Sequence, residues 1–304
     1  MSILVVGTVA FDAIETPYGK TEKIVGGAAT YICIAASFFS KKINLVSVVG
    51  DDFPSKTIHL LNNKSVDTEG LQIKEGRKTF FWSGKYHNNM NSRDTLETQL
   101  NVLEDFEPKV PEKHITSEYL MLGNLMPSVQ KQVLAQMKKR PKLIVLDTMN
   151  FWMDHYMEDL FEAIKEVDVL TINDEEARQL SQEYSLIKAA KKILKMGPTY
   201  LIIKKGEHGA LLFNQEEVFF APALPLEEVC DPTGAGDSFA GGFIGYLEKT
   251  QDISFENMKK AVIYGSVLAS FCVEKFGVEK IEKLTEKEIE RRLKNFVKLT
   301  SYNI

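Results

Sequence analysis

The sequence predicts an α/β protein in which a doubly wound, mainly parallel sheet is accompanied by a few antiparallel strands outside it. From about residue 119 onward, short apolar strands alternate with helices, and this alternation favours parallel strands joined by right-handed crossovers and covered on both faces. Between about residues 71 and 91 the pattern is polar and aromatic with no long helix, which is typical of antiparallel strands. The chain has 304 residues and no low-complexity linker, so we expect a single domain over residues 1–304.

Composition limits the classes of partner. The formal net charge is −5 and the pI is about 5.7, which does not suggest a nucleic-acid surface. The longest apolar run, 261–273, is shorter than the roughly 20 residues of a membrane span. The three cysteines lie far apart without metal-binding spacing, which fits a reducing cytoplasm. We therefore expect a cytoplasmic protein that binds neither nucleic acid nor membrane, and its first residues lack a signal-peptide pattern.

The first elements place polar and glycine residues where such sheets bind ligands. A buried strand at 3–7 is followed by Asp12, and open α/β sheets bind ligands beyond the carboxyl ends of their strands. A turn or capping aspartate explains Asp12 equally well. Gly26 and Gly27 precede a nearly all-apolar helix at 32–36, which should be buried. These paired glycines indicate either a tight turn or a place where substrate touches the main chain.

The aromatic segment predicts a covered surface. Phe80, Phe81 and Trp82 are consecutive, and such a surface suits burial under a substrate, the main domain or a second subunit. We expect these strands to lie outside the main sheet, together with part of 10–24, and residues 88–94 to form a polar loop.

The second half of the chain supplies the regular alternation. It predicts strands at 119–122, 143–147, 167–172 and 200–203, a hairpin-like pair at 209–213 and 218–221, helices at 127–138, 155–166, 173–182, 186–195 and 254–274, and a last helix that begins with a capping box at 285–288.

Two polar segments that follow strands carry a structural and a functional interpretation each. Asn173 and Glu176 have the spacing of a capping box, and the same pair can order the water shell of Mg²⁺, which takes few protein ligands. Lys205 and Gly206 lie after the strand at 200–203. A lysine at this place suits a phosphate, and a turn of solvated lysines is the slightly favoured alternative; Lys205 and Gly206 are our candidates for contact with the nucleotide.

The stretch 230–243 organises the site. A glycine-rich turn feeds a helix, and the free N–H groups and dipole at a helix start favour anions. Asp237 stands at the same helix start, where its charge would oppose a bound anion unless it had a separate role. A carboxylate beside an anion-binding turn is what phosphoryl transfer needs, because one part holds phosphate and the other takes a proton from the attacking hydroxyl.

These motifs resemble those of a known family. The stretch 231–239 is similar to the C-terminal signature of the ribokinase-like, or PfkB, carbohydrate and nucleoside kinases, usually D-T-x-G-A-G-D. Gly26-Gly27 resembles their N-terminal signature, and 173–176 resembles their N-x-x-E magnesium motif. The resemblance covers essentially the whole chain. It implies a ribokinase-like doubly wound sheet with a small β-sheet lid, here formed by about 10–24 and 70–92.

The resemblance implies an ATP-dependent kinase that moves the γ-phosphate to an alcohol hydroxyl of a sugar or sugar-like molecule. Asp237 is then the base, and the backbone N–H groups of Gly234, Ala235 and Gly236 form the anion hole. The other matched positions are Asp12, Gly26 and Gly27 for the acceptor, Gly206 and Gly277 for the nucleotide, Asn173 and Glu176 for Mg²⁺ through water, and Asp231 and Thr233 for a monovalent cation such as K⁺.

The acceptor side departs from the family pattern. Tyr31 stands where many sugar kinases have the Asn that helps bind the sugar, so sugar specificity does not carry over. Our hypothesis is that Tyr31 and lid residues shape a pocket for a larger or charged polyol or a nucleoside, with aromatic stacking and a lysine for an anionic group. These lid residues are Trp82, Lys85, Tyr86 and Asn91.

Two alternatives remain at the level of sequence. One is a nucleoside kinase of the same fold, and the other is a non-catalytic sugar- or nucleotide-binding regulator, against which the intact stretch 234–237 argues. We also expect a homodimer through the lid strands, because edge strands favour pairing.

Overall fold

The computed structural model describes residues 1–301. Its strands are β1 (Ile3–Val6), β2 (Ala10–Thr16), β3 (Gly19–Lys20), β4 (Ile24–Gly26), β5 (Ile43–Gly50), β6 (Val66–Lys74), β7 (Phe81–Tyr86), β8 (Arg93–Gln99), β9 (Tyr119–Leu122), β10 (Leu143–Asp147), β11 (Val169–Asn173), β12 (Tyr200–Lys204), β13 (Ala210–Phe213) and β14 (Val218–Ala221). Its α-helices are α1 (Ala28–Ala36), α2 (Ser55–Asn63), α3 (Pro127–Gln136), α4 (Asn150–His155), α5 (Met157–Lys165), α6 (Asp174–Ser181), α7 (Leu186–Leu194), α8 (Ala235–Thr250), α9 (Phe255–Cys272), α10 (Glu279–Glu282) and α11 (Glu286–Thr300).

The main sheet has nine strands in the order β14-β13-β12-β11-β10-β9-β1-β5-β6. All pairs from β12 to β6 are parallel, and the hairpin of β13 and β14 adds an antiparallel edge. The chain thus starts in the middle of the sheet and winds outward in both directions. This confirms the doubly wound, mainly parallel α/β fold, and it gathers the carboxyl ends of the parallel strands at one edge.

Apolar residues cover both faces of the main sheet, as its continuous apolar strands require. Within β1, Ile3 and Val5 belong to a core shared with α1, α8 and α9, whereas Leu4 and Val6 belong to a second core shared with α3, α5, α6 and α7. Helix α1 is buried along its whole length, as predicted. None of the helices in residues 1–301 is long and apolar enough to cross a membrane.

A second sheet lies beside the main one. Strands β3, β2, β7 and β8 form it in that order, and β4 pairs with β2. Residues 71–74 belong to β6 in the main sheet, so the expected start of the lid near residue 70 is corrected to Phe81. The expected polar loop at 88–94 is also shortened, because β8 begins at Arg93 and pairs antiparallel with β7.

Helix starts follow the predicted capping chemistry. In α11, the Thr285 side chain accepts a hydrogen bond from the Glu288 amide, and the Glu288 carboxylate accepts one from the Thr285 amide. A capping box of this kind satisfies two backbone N–H groups that would otherwise be unpaired. The same box forms at the start of α6, where it fixes two residues of the candidate site.

Candidate active site

The glycine-rich turn before α8 is built around Gly234. This residue has φ 76° and ψ 0°, a left-handed conformation that costs other residues energy. A Cβ atom there would lie 2.4 Å from ring atoms of Tyr31. The Ala235 amide donates to the Pro232 carbonyl at 3.2 Å. Three amides were expected to form the anion hole. The amide of Ala235 instead closes the turn, whereas the amides of Gly234 and Gly236 donate to no acceptor within residues 1–301.

Asp237 lies in the first turn of α8, partly buried. Burial raises the pKa of its carboxyl group to about 7, and the charge of Asp147 acts in the same direction, whereas Lys204 and Arg93 oppose both. A carboxyl group with a pKa near neutrality is suited to accept a proton from a hydroxyl.

Two further carboxyl groups, those of Asp12 and Asp231, lie near Asp237 in the cleft between the main sheet and the small sheet. Asp12 of β2 is 5% exposed, and burial, Asp231 and Asp237 raise its pKa to about 7 while the Gly27 amide opposes them. A Cβ atom on Gly26 would lie 1.8 Å from Asp12 Oδ2, so the paired glycines leave room for this carboxylate. The structure thus brings Asp12, the double glycine and Asp237 together, as the sequence predicted.

Asp231 is fully buried in front of the glycine turn. Its carboxylate accepts hydrogen bonds from the amides of Thr233 (2.8 Å) and Gly277 (2.9 Å). Burial raises its pKa, and these amides oppose the rise. Gly277 therefore lies against Asp231 and beside Ile24 of β4.

A lysine and an aspartate from the ends of the two strands that flank β11 form a largely buried ion pair. Lys204, the last residue of β12, places Nζ 3.1 and 3.2 Å from the carboxylate oxygens of Asp147, the last residue of β10. The same ammonium would lie 3.2 Å from a Cβ atom on Gly236. Lys205 points elsewhere, with Nζ 5.7 Å from the ring centroid of Phe220. Of these two lysines, it is thus Lys204, and not the expected Lys205, whose ammonium lies beside the glycine turn.

Asn173 and Glu176 form the capping box that begins α6. Asn173 Oδ1 accepts from the Glu176 amide at 2.8 Å, and Glu176 Oε2 accepts from the Asn173 amide at 2.8 Å. Burial raises the pKa of Glu176 to about 7, and Lys204 opposes the rise. The structural interpretation of this pair is confirmed, and Oε1 of Glu176 accepts no hydrogen bond within residues 1–301.

Tyr31 lies beneath the glycine turn. Its side chain is 1% exposed and its hydroxyl has no hydrogen-bond partner within residues 1–301. Burial raises its pKa, as do the nearby charges of Asp12, Asp231 and Asp237. Tyr31 therefore supports the turn from behind, and it does not line an open pocket as the sequence suggested.

The small sheet turns one face toward these residues. The Thr233 hydroxyl donates to the Tyr86 hydroxyl at 3.2 Å, which places the face of β7 that carries Tyr86, Gly84 and Trp82 on the cleft side. Lys85 points to the opposite face, where Nζ lies 2.6 Å from Glu15 Oε1. The structure thus brings Trp82 and Tyr86 to the cleft and leaves Lys85 outside it.

The tip of the β7–β8 hairpin contacts the turn that follows β12. Asn91 Nδ2 donates to Glu207 Oε1 at 3.2 Å, and its Oδ1 would lie 2.4 Å from a Cβ atom on Gly206. Asn91 was expected at the acceptor. Instead it joins the small sheet to the turn that we assigned to the nucleotide.

Three residues of the site went unassigned at the level of sequence: Asp147, Lys204 and Arg93. Asp147 and Lys204 end β10 and β12, two parallel strands that flank β11, and the rule that ligands bind at carboxyl ends of strands could have found them. No local pattern could have identified Arg93, because only its pairing across from Tyr86 brings it to the cleft.

The polar side chains of the site suit a nucleotide that is bound together with Mg²⁺. No group of three or more His, Cys, Asp or Glu side chains within residues 1–301 forms a metal-binding cluster. Mg²⁺ needs none, because it keeps several waters and binds through one or two carboxylates and substrate phosphates. Glu176 and Asn173 at a strand end are such a sparse set.

A doubly wound sheet, an anion-binding turn beside a carboxylate and a second sheet across the cleft together define a class, the kinases of small molecules. Residues 1–284 match the family described as pfkB family carbohydrate kinase. The chain belongs to this family. It is an ATP-dependent phosphotransferase of the sugar and nucleoside kinases, which use ATP and Mg²⁺. The alternative of a non-catalytic regulator is therefore set aside.

The chain is similar to known kinases in sequence and in structure. It is 30% identical over 253 residues to a cytidine kinase of Thermococcus kodakarensis, covering 81% of this chain and 88% of that one. A nucleoside kinase of Methanocaldococcus jannaschii superposes with a TM-score of 0.77 at 22% identity, covering 97% and 99% of the two chains. A putative ribokinase II of E. coli, solved with ATP and Mg²⁺, gives 0.77 at 19% identity over 98% and 99%. These likenesses confirm the fold.

Proposed function

We propose that the protein transfers the γ-phosphate of ATP to a hydroxyl of a nucleoside. The observation that carries this choice over a free sugar is the position of Trp82. A Cβ atom on Gly84 would lie 2.2 Å from the benzene ring of the indole, so the ring covers Gly84 on the cleft side of the small sheet. Its Nε1 donates to Thr95 Oγ1 at 3.3 Å.

This arrangement supports an aromatic platform for a planar base. Stacking of a nucleobase on an aromatic side chain contributes about 1–3 kcal/mol, and a free sugar lacks the planar ring to use it. The names of two relatives, a cytidine kinase and a nucleoside kinase, agree with this choice. A sugar remains the second candidate acceptor, because sugar kinases share the fold.

The proposed reaction needs a base and an anion site. Asp237 takes the proton of the acceptor hydroxyl, whose oxygen forms a bond to the γ-phosphorus. The bond from this phosphorus to the bridging oxygen breaks, and ADP leaves with its electron pair. The amides of Gly234 and Gly236 stabilise charge on the transferred group, and preorganised donors of this kind contribute about 3 kcal/mol each. Asp12 orients the acceptor through its hydroxyls.

The metal ions complete this proposal. Glu176 and Asn173 would hold Mg²⁺ through water, and Mg²⁺ supplies neutralisation of phosphate charge. We propose K⁺ near Asp231 and Thr233, supported by a buried carboxylate whose hydrogen-bond donors in residues 1–301 are main-chain amides. Turnover should then fall when KCl is replaced by choline chloride at equal ionic strength, and equal rates would remove the K⁺ assignment.

We further propose a cytoplasmic homodimer that pairs through the small sheet. Strand β8 is the outer strand of that sheet and is exposed at every residue, with Leu96 56% exposed. Exposed edge strands favour pairing with another chain. Light scattering should give twice the monomer mass and Leu96→Lys should lower it, whereas a monomeric parent protein would exclude this dimer.

Paired acceptors test the proposed function. ATP consumption is measured with cytidine, other nucleosides, free ribose and other sugars, for the parent protein, Trp82→Ala and Trp82→Phe. We expect nucleoside turnover, a KM for the nucleoside that rises about 10- to 100-fold in Trp82→Ala, and recovery in Trp82→Phe. Turnover confined to free sugars, or an unchanged nucleoside KM in Trp82→Ala, contradicts the nucleoside assignment.

A further inference from the structure

Arg93 lies on the cleft side of the small sheet. It is the first residue of β8 and stands directly opposite Tyr86 of β7. Residues paired across antiparallel strands point to the same face. Because the Tyr86 hydroxyl contacts Thr233 at 3.2 Å, that face looks onto the glycine turn. The Arg93 guanidinium carbon lies 5.7 Å from the ring centroid of Trp82 on this same face.

Apart from its contact with the Trp82 ring, the Arg93 side chain has no charged partner within residues 1–301, in contrast to its neighbours. On the small sheet, Lys85 pairs with Glu15 at 2.6 Å and His87 lies 3.1 Å from Asp94. Within residues 1–301, the Arg93 side chain makes neither an ion pair nor a hydrogen bond, although its backbone is held in the β-ladder. An exposed guanidinium that is held on a strand and left unpaired in a cleft is available to an anionic ligand.

The charge of Arg93 reaches two residues of the main domain. Burial dominates the raised pKa of Asp237 and of Glu176, and in both carboxyl groups the guanidinium acts in the opposite direction. These groups stand at the starts of α8 and α6 respectively. These effects agree with the position of Arg93 opposite Tyr86, on the face of the small sheet that looks onto the glycine turn.

We propose that Arg93 binds the phosphoryl group during its transfer from ATP and is a catalytic residue supplied by the small sheet. The guanidinium keeps all its protons and donates hydrogen bonds to the phosphoryl oxygens, whose charge it stabilises as the bond to ADP breaks. The amides of the glycine turn come from the main domain and Arg93 from the small sheet. The site is then complete only when both sheets contribute. This proposal rests on the proposed phosphoryl transfer at Asp237.

The test compares Arg93→Ala and Arg93→Lys with the parent protein. The matched control is Lys20→Ala, which removes a small-sheet cation that pairs with Glu15 outside the cleft. We expect Arg93→Ala to lower kcat about 10³-fold, the lower end for arginines that contact a transferred phosphoryl group. Arg93→Lys should retain an intermediate rate, added guanidinium should partly restore Arg93→Ala, and Lys20→Ala should match the parent protein.

Other outcomes overturn the proposal. A kcat for Arg93→Ala within about threefold of the parent value excludes a catalytic role, and a rise confined to the acceptor KM would place Arg93 in the acceptor platform instead. Thermal unfolding checks that the variants are folded, and Arg93→Gln with guanidinium rescue replaces Arg93→Ala if that variant unfolds. Retained turnover in Asp237→Asn would overturn the proposed function, whereas an inactive Asp237→Asn beside a fully active Arg93→Ala overturns only this inference.

Discussion

Asp237 stands among charges that act on its proton in opposite directions. Burial and Asp147 hold its pKa at about 7, while Lys204 and Arg93 favour the ionised form. At neutral pH the carboxyl group is therefore divided between its two protonation states, which is the condition under which a general base is most effective. Asp12 and Glu176 also have pKa values raised to about 7, in both cases mainly by burial.

The pH dependence of turnover follows from these carboxyl groups. Because Asp237 must be ionised to accept a proton, kcat/KM for the acceptor should rise with pH and level off above its pKa of about 7. Initial rates between about pH 5.5 and 9 measure this profile. Asp105→Asn, which changes an exposed acid paired with Arg77, should reproduce the parent profile. A rate that is flat across this range would contradict the assignment of Asp237.

The same raised pKa predicts that Asp237, the proposed base, destabilises the protein. The folded-state pKa of Asp237 lies near 7 and its ordinary value is 3.8, so the folded state favours the protonated group. The associated stability is fully present below about pH 4 and is lost as the pH rises through about 7. At higher pH the folded state therefore carries the full cost of the buried charge.

Asp237→Asn should remove that cost. We expect it to be more stable than the parent protein by about 1–2 kcal/mol at about pH 8, less than the roughly 4 kcal/mol of three pKa units because the side chain is only partly buried. The difference should shrink as the pH falls toward about 4. Urea unfolding of both proteins at two pH values measures it, and a less stable Asp237→Asn at high pH would count against this explanation.

At the scale of elements, the turn before α8 depends on two properties of Gly234. Its φ of 76° excludes most side chains, and its Cα faces the Tyr31 ring at a distance that leaves no space for a Cβ atom. Gly76 separates the two effects, because it also has a positive φ of 68° but no atom lies within 4 Å of a Cβ placed there.

The two glycines give a matched pair of substitutions. Gly76→Ala should cost only the backbone strain, about 1–2 kcal/mol, and leave kcat unchanged. Gly234→Ala should cost about 2–4 kcal/mol and lower kcat at least about 100-fold, because the turn must also move off Tyr31. Thermal unfolding and initial rates of both variants test this. Equal effects of the two substitutions would show that contact with Tyr31 does not shape the turn.

The main-sheet elements were predictable because their apolar runs and helix caps are local signals. The capping boxes at Thr285 and Asn173 formed as expected. The small sheet was less predictable. Strand β8 is exposed along its whole length, so it lacks the alternating apolar face that identifies a strand, and its pairing with β7 defines it. For that reason the sequence treated Arg93 as part of a loop. The lid was placed too early for another reason, because residues 71–74 extend β6 of the main sheet.

At the scale of the whole molecule, the cleft is formed by two sheets that contact each other at several points. The Thr16 hydroxyl donates to the Cys230 carbonyl at 3.0 Å, and Asn91 reaches Glu207 at 3.2 Å. Together with the contact of Tyr86 and Thr233, these hydrogen bonds join segments more than 100 positions apart. The motif stretch could be identified from sequence because its chemistry is contiguous. The facing residues could not, because only the folded chain brings them together.

The choice of lysine illustrates the same limit. The sequence suggested Lys205 for the nucleotide phosphates, whereas the fold places the ammonium of its neighbour Lys204 against Asp147 and beside Gly236. Tyr31 shows the converse, since its sequence position suggested the acceptor pocket and the fold buries it beneath the turn. Residue type and order identified the reaction, and three-dimensional placement decided which neighbour takes part.

A single-turnover measurement with γ-labelled ATP and a nucleoside acceptor tests whether Asp237 is the base. It compares the parent protein with Asp237→Asn at about pH 8, where Asp237 is ionised. ATP affinity, measured in parallel, should agree between the two proteins within about threefold. We expect Asp237→Asn to transfer phosphate at least about 10³-fold more slowly than the parent protein. Transfer by Asp237→Asn within about tenfold of the parent rate would contradict it.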